Sequence, residues 1–242
     1  MHGLLSTQQD NNQGKYPLLV VDDLLDQLAG AQFFTRINLR SGYHQIRVAK
    51  DDVEKTAFWT RYGSYEWLVM SFGLTGAPGT FNRLSNDLFC AFLDEFVILY
   101  IDDLLIYSKT LEEHMVHVKK VLQILRENKL YANPQKCEFA AQDINFLGFR
   151  VGKHDLHMDT SKVDDVRRWL IPTKTVEVQQ SISFVQYVRK FIKHFSVIAP
   201  PLTNLTKAKT GFKWTTLEQD AFEKLKEAVC SQLVLKLPDF TK

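Results

Sequence analysis

Cysteine is scarce. Cys90, Cys137 and Cys230 are an odd number, far apart, and none has the CxxC spacing that ligates a metal. Buried free thiols in a reducing compartment are the expectation. Long apolar runs are lacking too: none reaches the roughly 20 residues of a membrane span. The N-terminal MHGLLSTQQDNNQG turns polar at once instead of following a signal-peptide pattern. These absences point to an intracellular protein, cytoplasmic or nuclear, with no membrane partner. An excess of charge is the third absence. With 30 Lys and Arg against 28 Asp and Glu the formal net charge is +2, so any nucleic-acid surface must come from local clustering of basic residues. What remains, 45% apolar and 24% charged residues, is ordinary globular composition, and 242 residues suffice for one long domain or two smaller ones.

The chain is organised around residues 96–107, FVILYIDDLLIY. Apolar and aromatic residues flank Asp102 and Asp103, which predicts two short buried strands meeting at a pair of carboxylates. Adjacent negative charges repel, so a fold that seats them between buried strands needs a counter-charge or a shifted pKa. A divalent cation supplies the first; a strained but solvated turn is the alternative. The dipeptide alone decides nothing, because Asp-Asp also occurs at 22–23, 51–52 and 164–165. Those pairs sit among charged residues or in a helical first turn, where acids favour the amide end.

The first 15 residues are polar and read as a loose tail. A helix from Pro17 should carry Val20, Val21, Leu24, Leu25 and Leu28 and end at Gly30. Residues 33–39 and 43–48 read as a half-buried hairpin turned by Ser41-Gly42, and residues 56–60 and 65–69 as two further strands. From the loop SFGLTGAP onward, three glycines fall in the seven residues from Gly73 to Gly79, which permits close backbone approach to another molecule, and Pro78 suits the first turn of the helix that follows. Phe81, Leu84, Leu88 and Phe92 form that helix's core face. Thr110 and Glu113 make a capping box for a helix striped by Met115, Val118, Leu122 and Leu125, with His114 and His117 on its surface. Short strands fill residues 136–158, turning at Gly152-Lys153.

From Thr160 the pattern is helical: Val163, Val166, Trp169 and Leu170, then a helix over 176–195, a break at Pro200-Pro201, and a last helix with a short apolar tail over 214–237. Arg189, Lys190 and Lys193 lie beside Phe184, Tyr187, Phe191 and Phe195, a mix that suits either a solvated face or phosphate-backbone contact. The fold class is α+β, an antiparallel sheet backed by helices and followed by a mostly helical region.

Several separated blocks then occur in one order: KYPLLVVDDLLDQL, LRSGYHQIRV, KTAFWTRYGSYEWLVMSFGLTGAP, FVILYIDDLLIYS, NPQKCEF and FLGF. In that order they resemble the reverse transcriptase of a gypsy-class long-terminal-repeat retrotransposon, from Lys15 to Phe240. The resemblance implies a polymerase right-hand palm with partial fingers over 16–158, a thumb-like helical region over 159–207 and the start of a connection region over 208–242. It implies RNA-directed DNA polymerase activity on an RNA or DNA template-primer with deoxynucleoside triphosphates. Asp102 would be a Mg2+ ligand with Asp103 its neighbour, in an in-line displacement held by two ions about 3.5–4 Å apart. Tyr43 would close on the sugar and exclude ribonucleotides. Phe72 and Gly73 would border the incoming nucleotide, Lys136 would lie near the pyrophosphate, and Phe146, Leu147 and Gly148 would grip the primer end.

The chain departs from the family pattern at Asn38, where the family has an aspartate directly before LRSGY. Asparagine keeps the shape and one acceptor oxygen but removes a negative charge where dications must be held. The family's basic fingers strands would precede KYPL, where only polar residues stand here, and its ribonuclease H domain would follow LPDF, where the chain stops. The stretch VQQSISFVQYVRKFI is about three residues shorter than the family's, which shortens a helix by about 4.5 Å and turns its remainder by about 60°. Two classes of function follow: a polymerase core that tolerates Asn38, or a noncatalytic domain that binds nucleic acid or a protein partner, including a partner subunit beside an active copy.

Overall fold

A computed structural model describes residues 21–153, 155–207, 211–231 and 235–236, and the chain divides into two compact units after Ile144. In the first unit, α1 (Val21–Asp26) buries Leu24 and Leu25, and the chain leaves it through Gly30 at φ 82°, a left-handed geometry that glycine adopts without strain. The part of the expected first helix before residue 21 lies outside the described residues. β1 (Phe33–Asn38) follows. Its expected hairpin partner over 43–48 does not form. Ser41 reverses the chain at φ 47°, and Gly42–Gln45 is a 3-10 turn closed by His44 N–H to the Ser41 carbonyl. Only the end of that segment is extended, where Met70 N–H donates to the Ile46 carbonyl and Val48 N–H to the Leu68 carbonyl.

That pairing draws residues 66–69 away from the expected second hairpin. The hairpin shrinks to β2 (Phe58–Thr60) and β3 (Gly63–Tyr65), with Phe58 opposite Tyr65. α2 (Ala77–Phe89) starts with Pro78 in its first turn and buries Phe81 and Phe89, with Leu84, Leu88 and Phe92 packed against the same core. β4 (Val97–Tyr100) and β5 (Asp103–Ser108) form the acid-tipped hairpin, Tyr100 opposite Asp103. α3 (Leu111–Glu127) is capped by Thr110, whose hydroxyl accepts the Glu113 N–H. β6 (Glu138–Ala141) completes an antiparallel sheet of order β4-β5-β1-β6.

In the second unit, β7 (Ile144–Phe146), β8 (Phe149–Val151), β9 (Asp155–Met158) and β10 (Leu235–Lys236) form a sheet of order β10-β9-β8-β7. Its helices are α4 (Thr160–Arg167), α5 (Thr175–Tyr187), α6 (Phe195–Ile198), α7 (Pro200–Leu205) and α8 (Thr216–Ser231). The helix expected over 176–195 breaks at Val188 into a 3-10 turn, Arg189–Phe191, and His194 takes φ 60°. Its many β-branched residues lower helix propensity, so packing decides where it ends. Pro200 and Pro201 start α7 instead of breaking the chain, since a first turn needs no N–H there. Leu170 points to solvent at 87% exposure, while Trp169 makes ring contacts with Phe184 and Phe222. The cysteines are free, but Cys90 is exposed and Cys137 and Cys230 are only half-buried, contrary to the expected burial. Among the described residues no helix is long and apolar enough to cross a membrane.

α3 differs most from its sequence reading. Met115 and Leu122 are exposed, and the buried positions are His114, Val121 and Leu125. His114 is fully enclosed in a polar relay. Thr35 Oγ1 accepts the Ala140 N–H at 3.0 Å and lies 2.7 Å from His114 Nε2. Ser108 Oγ lies 2.9 Å from both His114 Nδ1 and His117 Nδ1, so its single hydrogen serves one ring and the other ring donates to it. His117 stacks on Phe96 with ring centroids 3.8 Å apart.

Burial first, then His117, holds His114 below the ordinary histidine value; burial, then Lys120, lowers His117 against the opposing pull of Glu113 and Glu95. The unfolded chain therefore binds these protons first as pH falls, and stability is lost below about pH 6.5. Thermal unfolding followed by circular dichroism should give a melting temperature that falls from pH 7 to pH 5. His114→Phe should cost about 1–3 kcal/mol at pH 7, by leaving the Thr35 and Ser108 hydroxyls short of a partner, and should flatten that pH slope.

Candidate functional site

Strand register builds the site. β1 and β5 pair antiparallel from Phe33 opposite Ser108 to Asn38 opposite Asp103, so the last residue of β1 meets the first of β5. Asn38 Nδ2 donates to Asp103 Oδ1 at 2.7 Å. One residue on, Leu39 N–H donates to the Asp102 carbonyl at 3.0 Å, which fixes the hairpin tip against the end of β1. The tip is strained: Ile101 takes φ 54°, a conformation that β-branched side chains rarely adopt. Such strain persists where its surroundings over-determine the backbone, and here both flanking strands do.

The two acids are half-buried. Desolvation raises the Asp102 pKa; its backbone hydrogen bond opposes this, the Asp103 charge adds to it, and Lys136 offsets part of it. Tyr43 is raised as well, by burial and then by the Asp102 charge. The Tyr43 ring packs edge-on against Phe81 at 5.5 Å and against Phe72 at 5.0 Å between centroids. Phe72 is 61% exposed, and Gly73 beside it takes φ 92°, a position that favours glycine. Gly42 is the close-approach residue. A Cβ there would lie 2.9 Å from the Phe81 ring and 3.5 Å from Asp102 Cβ.

The structure thus brings together Asn38, Tyr43, Asp102 and Asp103, with Phe72 against Tyr43 and Gly73 next in the chain. Lys136 ends the 3-10 turn Pro134–Lys136 and acts on Asp102 through its charge. The other six residues singled out in the sequence belong to the second unit. Phe146 is buried, while Leu147 and Gly148 turn the chain between β7 and β8 with φ of 50° and 74°. The Leu147 carbonyl accepts the Tyr187 hydroxyl at 2.6 Å. Arg189, Lys190 and Lys193 are exposed. The sequence reading missed the packing role of Gly42 and gave no role to Gln45. The family block SGYHQ contains both, and it was their only signal.

Among the described residues no three His, Cys, Asp or Glu side chains gather into a metal cluster. Two carboxylates and one amide fit a single divalent cation that keeps waters or phosphate oxygens in its remaining positions. They do not fit a close pair of dications, because the Asn38 amide turns an N–H donor toward Asp103 where another carboxylate oxygen would be needed.

The sequence matches the family model described as reverse transcriptase (RNA-dependent DNA polymerase) over residues 3–151. The Transposon Tf2-3 polyprotein of Schizosaccharomyces pombe is 37% identical over 227 residues, 94% of this chain and 17% of that polyprotein. The retrovirus-related Pol polyprotein from transposon 297 of Drosophila melanogaster is 38% identical over 229 residues, 94% of this chain and 22% of that polyprotein. This chain therefore spans less than a quarter of either relative. Among solved structures, the foamy viral protease-reverse transcriptase dRH in complex with double-stranded DNA matches with a TM-score of 0.84 at 23% identity, over 93% of this chain and 40% of that one. The foamy viral protease-reverse transcriptase in complex with an RNA/DNA hybrid matches at 0.77 and 24% identity, over 89% and 30%. At those identities the likeness is one of fold, and it agrees with the expected polymerase palm.

Asn38→Asp would replace the hydrogen bond to Asp103 with a third carboxylate. In chelator its melting temperature should fall below that of the native chain, and added Mg2+ should raise it more than it raises the native one; differential scanning fluorimetry reads both. Gly42→Ala should cost about 1–3 kcal/mol in chemical denaturation, because the Phe81 ring must move to admit the methyl group.

Proposed function

This chain belongs to the reverse transcriptase (RNA-dependent DNA polymerase) family, and from that premise we propose that it is a template-directed nucleotidyl-transfer domain whose catalysis is impaired at Asn38. The observation that carries this is the 2.7 Å hydrogen bond from the Asn38 amide to Asp103. It supports a site of the polymerase type, because the strand end and hairpin tip converge, and a weakened one, because the converging group is neutral. Asp102 and Asp103 are the residues to hold Mg2+, which at a phosphoryl centre neutralises charge on the attacking and leaving oxygens. Desolvation of Asp102 favours its neutral form, and Lys136 offsets part of that; a cation held by the pair would favour the ionised form as well.

The chain's own side chains do the positioning. Tyr43, packed between Phe72 and Phe81, presents a rigid wall to the sugar of a deoxynucleoside triphosphate. Gly73 leaves room for backbone approach to that nucleotide, and Lys136 supplies positive charge for phosphate. In the second unit the turn residues Leu147 and Gly148, seated on buried Phe146, contact the primer end, and Arg189, Lys190 and Lys193 contact the backbone of an RNA or DNA template-primer. The neighbours whose structures contain double-stranded DNA or an RNA/DNA hybrid support such a partner. The same amide also favours a second reading, in which the domain binds template-primer, or a partner subunit, without extending it.

Primer extension on an RNA template with Mg2+, run on the native chain and on Asn38→Asp, tests both. A missing carboxylate worth several kcal/mol of transition-state stabilisation slows the native chain about a thousandfold or more relative to the variant. A variant no faster than the native chain overturns the impaired-site reading. Absence of extension by both, with salt-sensitive binding of the duplex retained, supports the second.

A further inference from the structure

Gln45 ends the 3-10 turn that carries Tyr43, and its half-buried side chain bonds the backbone of Tyr131 and of Arg40. Nε2 donates to the Tyr131 carbonyl at 2.9 Å and to the Arg40 carbonyl at 2.6 Å, while Oε1 accepts the Tyr131 N–H at 2.7 Å. Tyr131 thus has both backbone groups met by one primary amide, as a neighbouring strand would meet them. Its carbonyl accepts the Arg40 N–H as well, at 2.9 Å. From there the segment runs along the end of β1, through the bridge of Leu39 with Ala132 and the Asn133 N–H to the Asn38 carbonyl at 2.8 Å, and reaches Lys136. Among the described residues no regular strand pairs with Tyr131, and the Gln45 side chain takes that place.

We infer that Gln45 is a positioning residue: it ties the turn bearing Tyr43 to the segment bearing Lys136, so that one amide sets the spacing of those two side chains beside the acid pair. The inference rests on the reading of the acid pair as a nucleotide-transfer site, but its geometry is testable without activity. Amide hydrogen exchange on the native chain, Gln45→Ala and the isosteric Gln45→Met is the first arm. Loss of the tie should speed exchange about tenfold or more at Tyr131, which loses its acceptor, and also at His44 and Ile46, which keep theirs. Faster exchange at Tyr131 alone overturns the proposal, since the Tyr43 turn then holds without the tie.

The second arm uses the Asn38→Asp chain once extension has been shown for it. Gln45→Ala and Gln45→Met should each raise KM for the deoxynucleotide and lower the ratio of deoxynucleotide to ribonucleotide incorporation about tenfold, with kcat for the deoxynucleotide changed less than KM. A uniform loss of kcat with the sugar ratio unchanged marks a merely structural role and overturns it. Failure of Asn38→Asp to extend at all is a failure of the polymerase reading, and leaves the tie to be decided by exchange.

Discussion

The pairing of β1 with β5 is the constraint on which the site depends. Side chains alternate across a strand, so a slip of one residue would turn Asn38 to the opposite face and uncouple it from Asp103. The register is held by burial. Ile37, Leu104, Leu105 and Ile106 are each no more than 1% exposed, and a slip of β1 would put Arg36 or Asn38 in the buried place of Ile37. With that register fixed, the Leu39 N–H and Asp102 carbonyl are bonded, Ile101 is forced to positive φ, and the tip carboxylates face the end of β1. Core packing, not any attraction between the polar groups, brings the acids and the amide together.

The hairpin was legible because two carboxylates interrupt a run too apolar for a surface, and only a turn can place them there. α2 was legible from Pro78 and the four-residue spacing of its apolar side chains. Residues 43–48 were not, because Tyr43, Gln45 and Arg47 alternate with Ile46 and Val48 much as a strand would, and left-handed Ser41 is a serine that gives no warning. The helical break at Val188 and the start of α7 at Pro200 were settled by packing and by the tolerance of first turns for proline. Local propensity is indifferent to both.

The phase of α3 shows why polar interiors escape a pattern built on apolar spacing. Its buried face is His114, Val121 and Leu125, and the apolar Met115 beside it is 61% exposed. A histidine goes inside when every ring nitrogen has a partner, and His114 has the Thr35 and Ser108 hydroxyls from two different strands. The same limit applies at the site. Asn38 could be placed beside the acids through its motif, but Gly42 matters because of Phe81, and Gln45 because of Tyr131, 86 residues along the chain. Such roles are properties of pairs, and one member of a pair carries no sign of the other.

Residue 38 decides how the end of β1 meets the acid pair. An aspartate there would stand within hydrogen-bond distance of Asp103 and beside half-buried Asp102, and three carboxylates so close are mutually repulsive until a dication sits among them. Asparagine removes that repulsion and adds a donor, which the Asp103 carboxylate accepts. The chain keeps the fold of its family, including the turn that seats Tyr43 and the loop that exposes Phe72, and it joins the end of β1 to the hairpin tip by an amide hydrogen bond in place of a carboxylate.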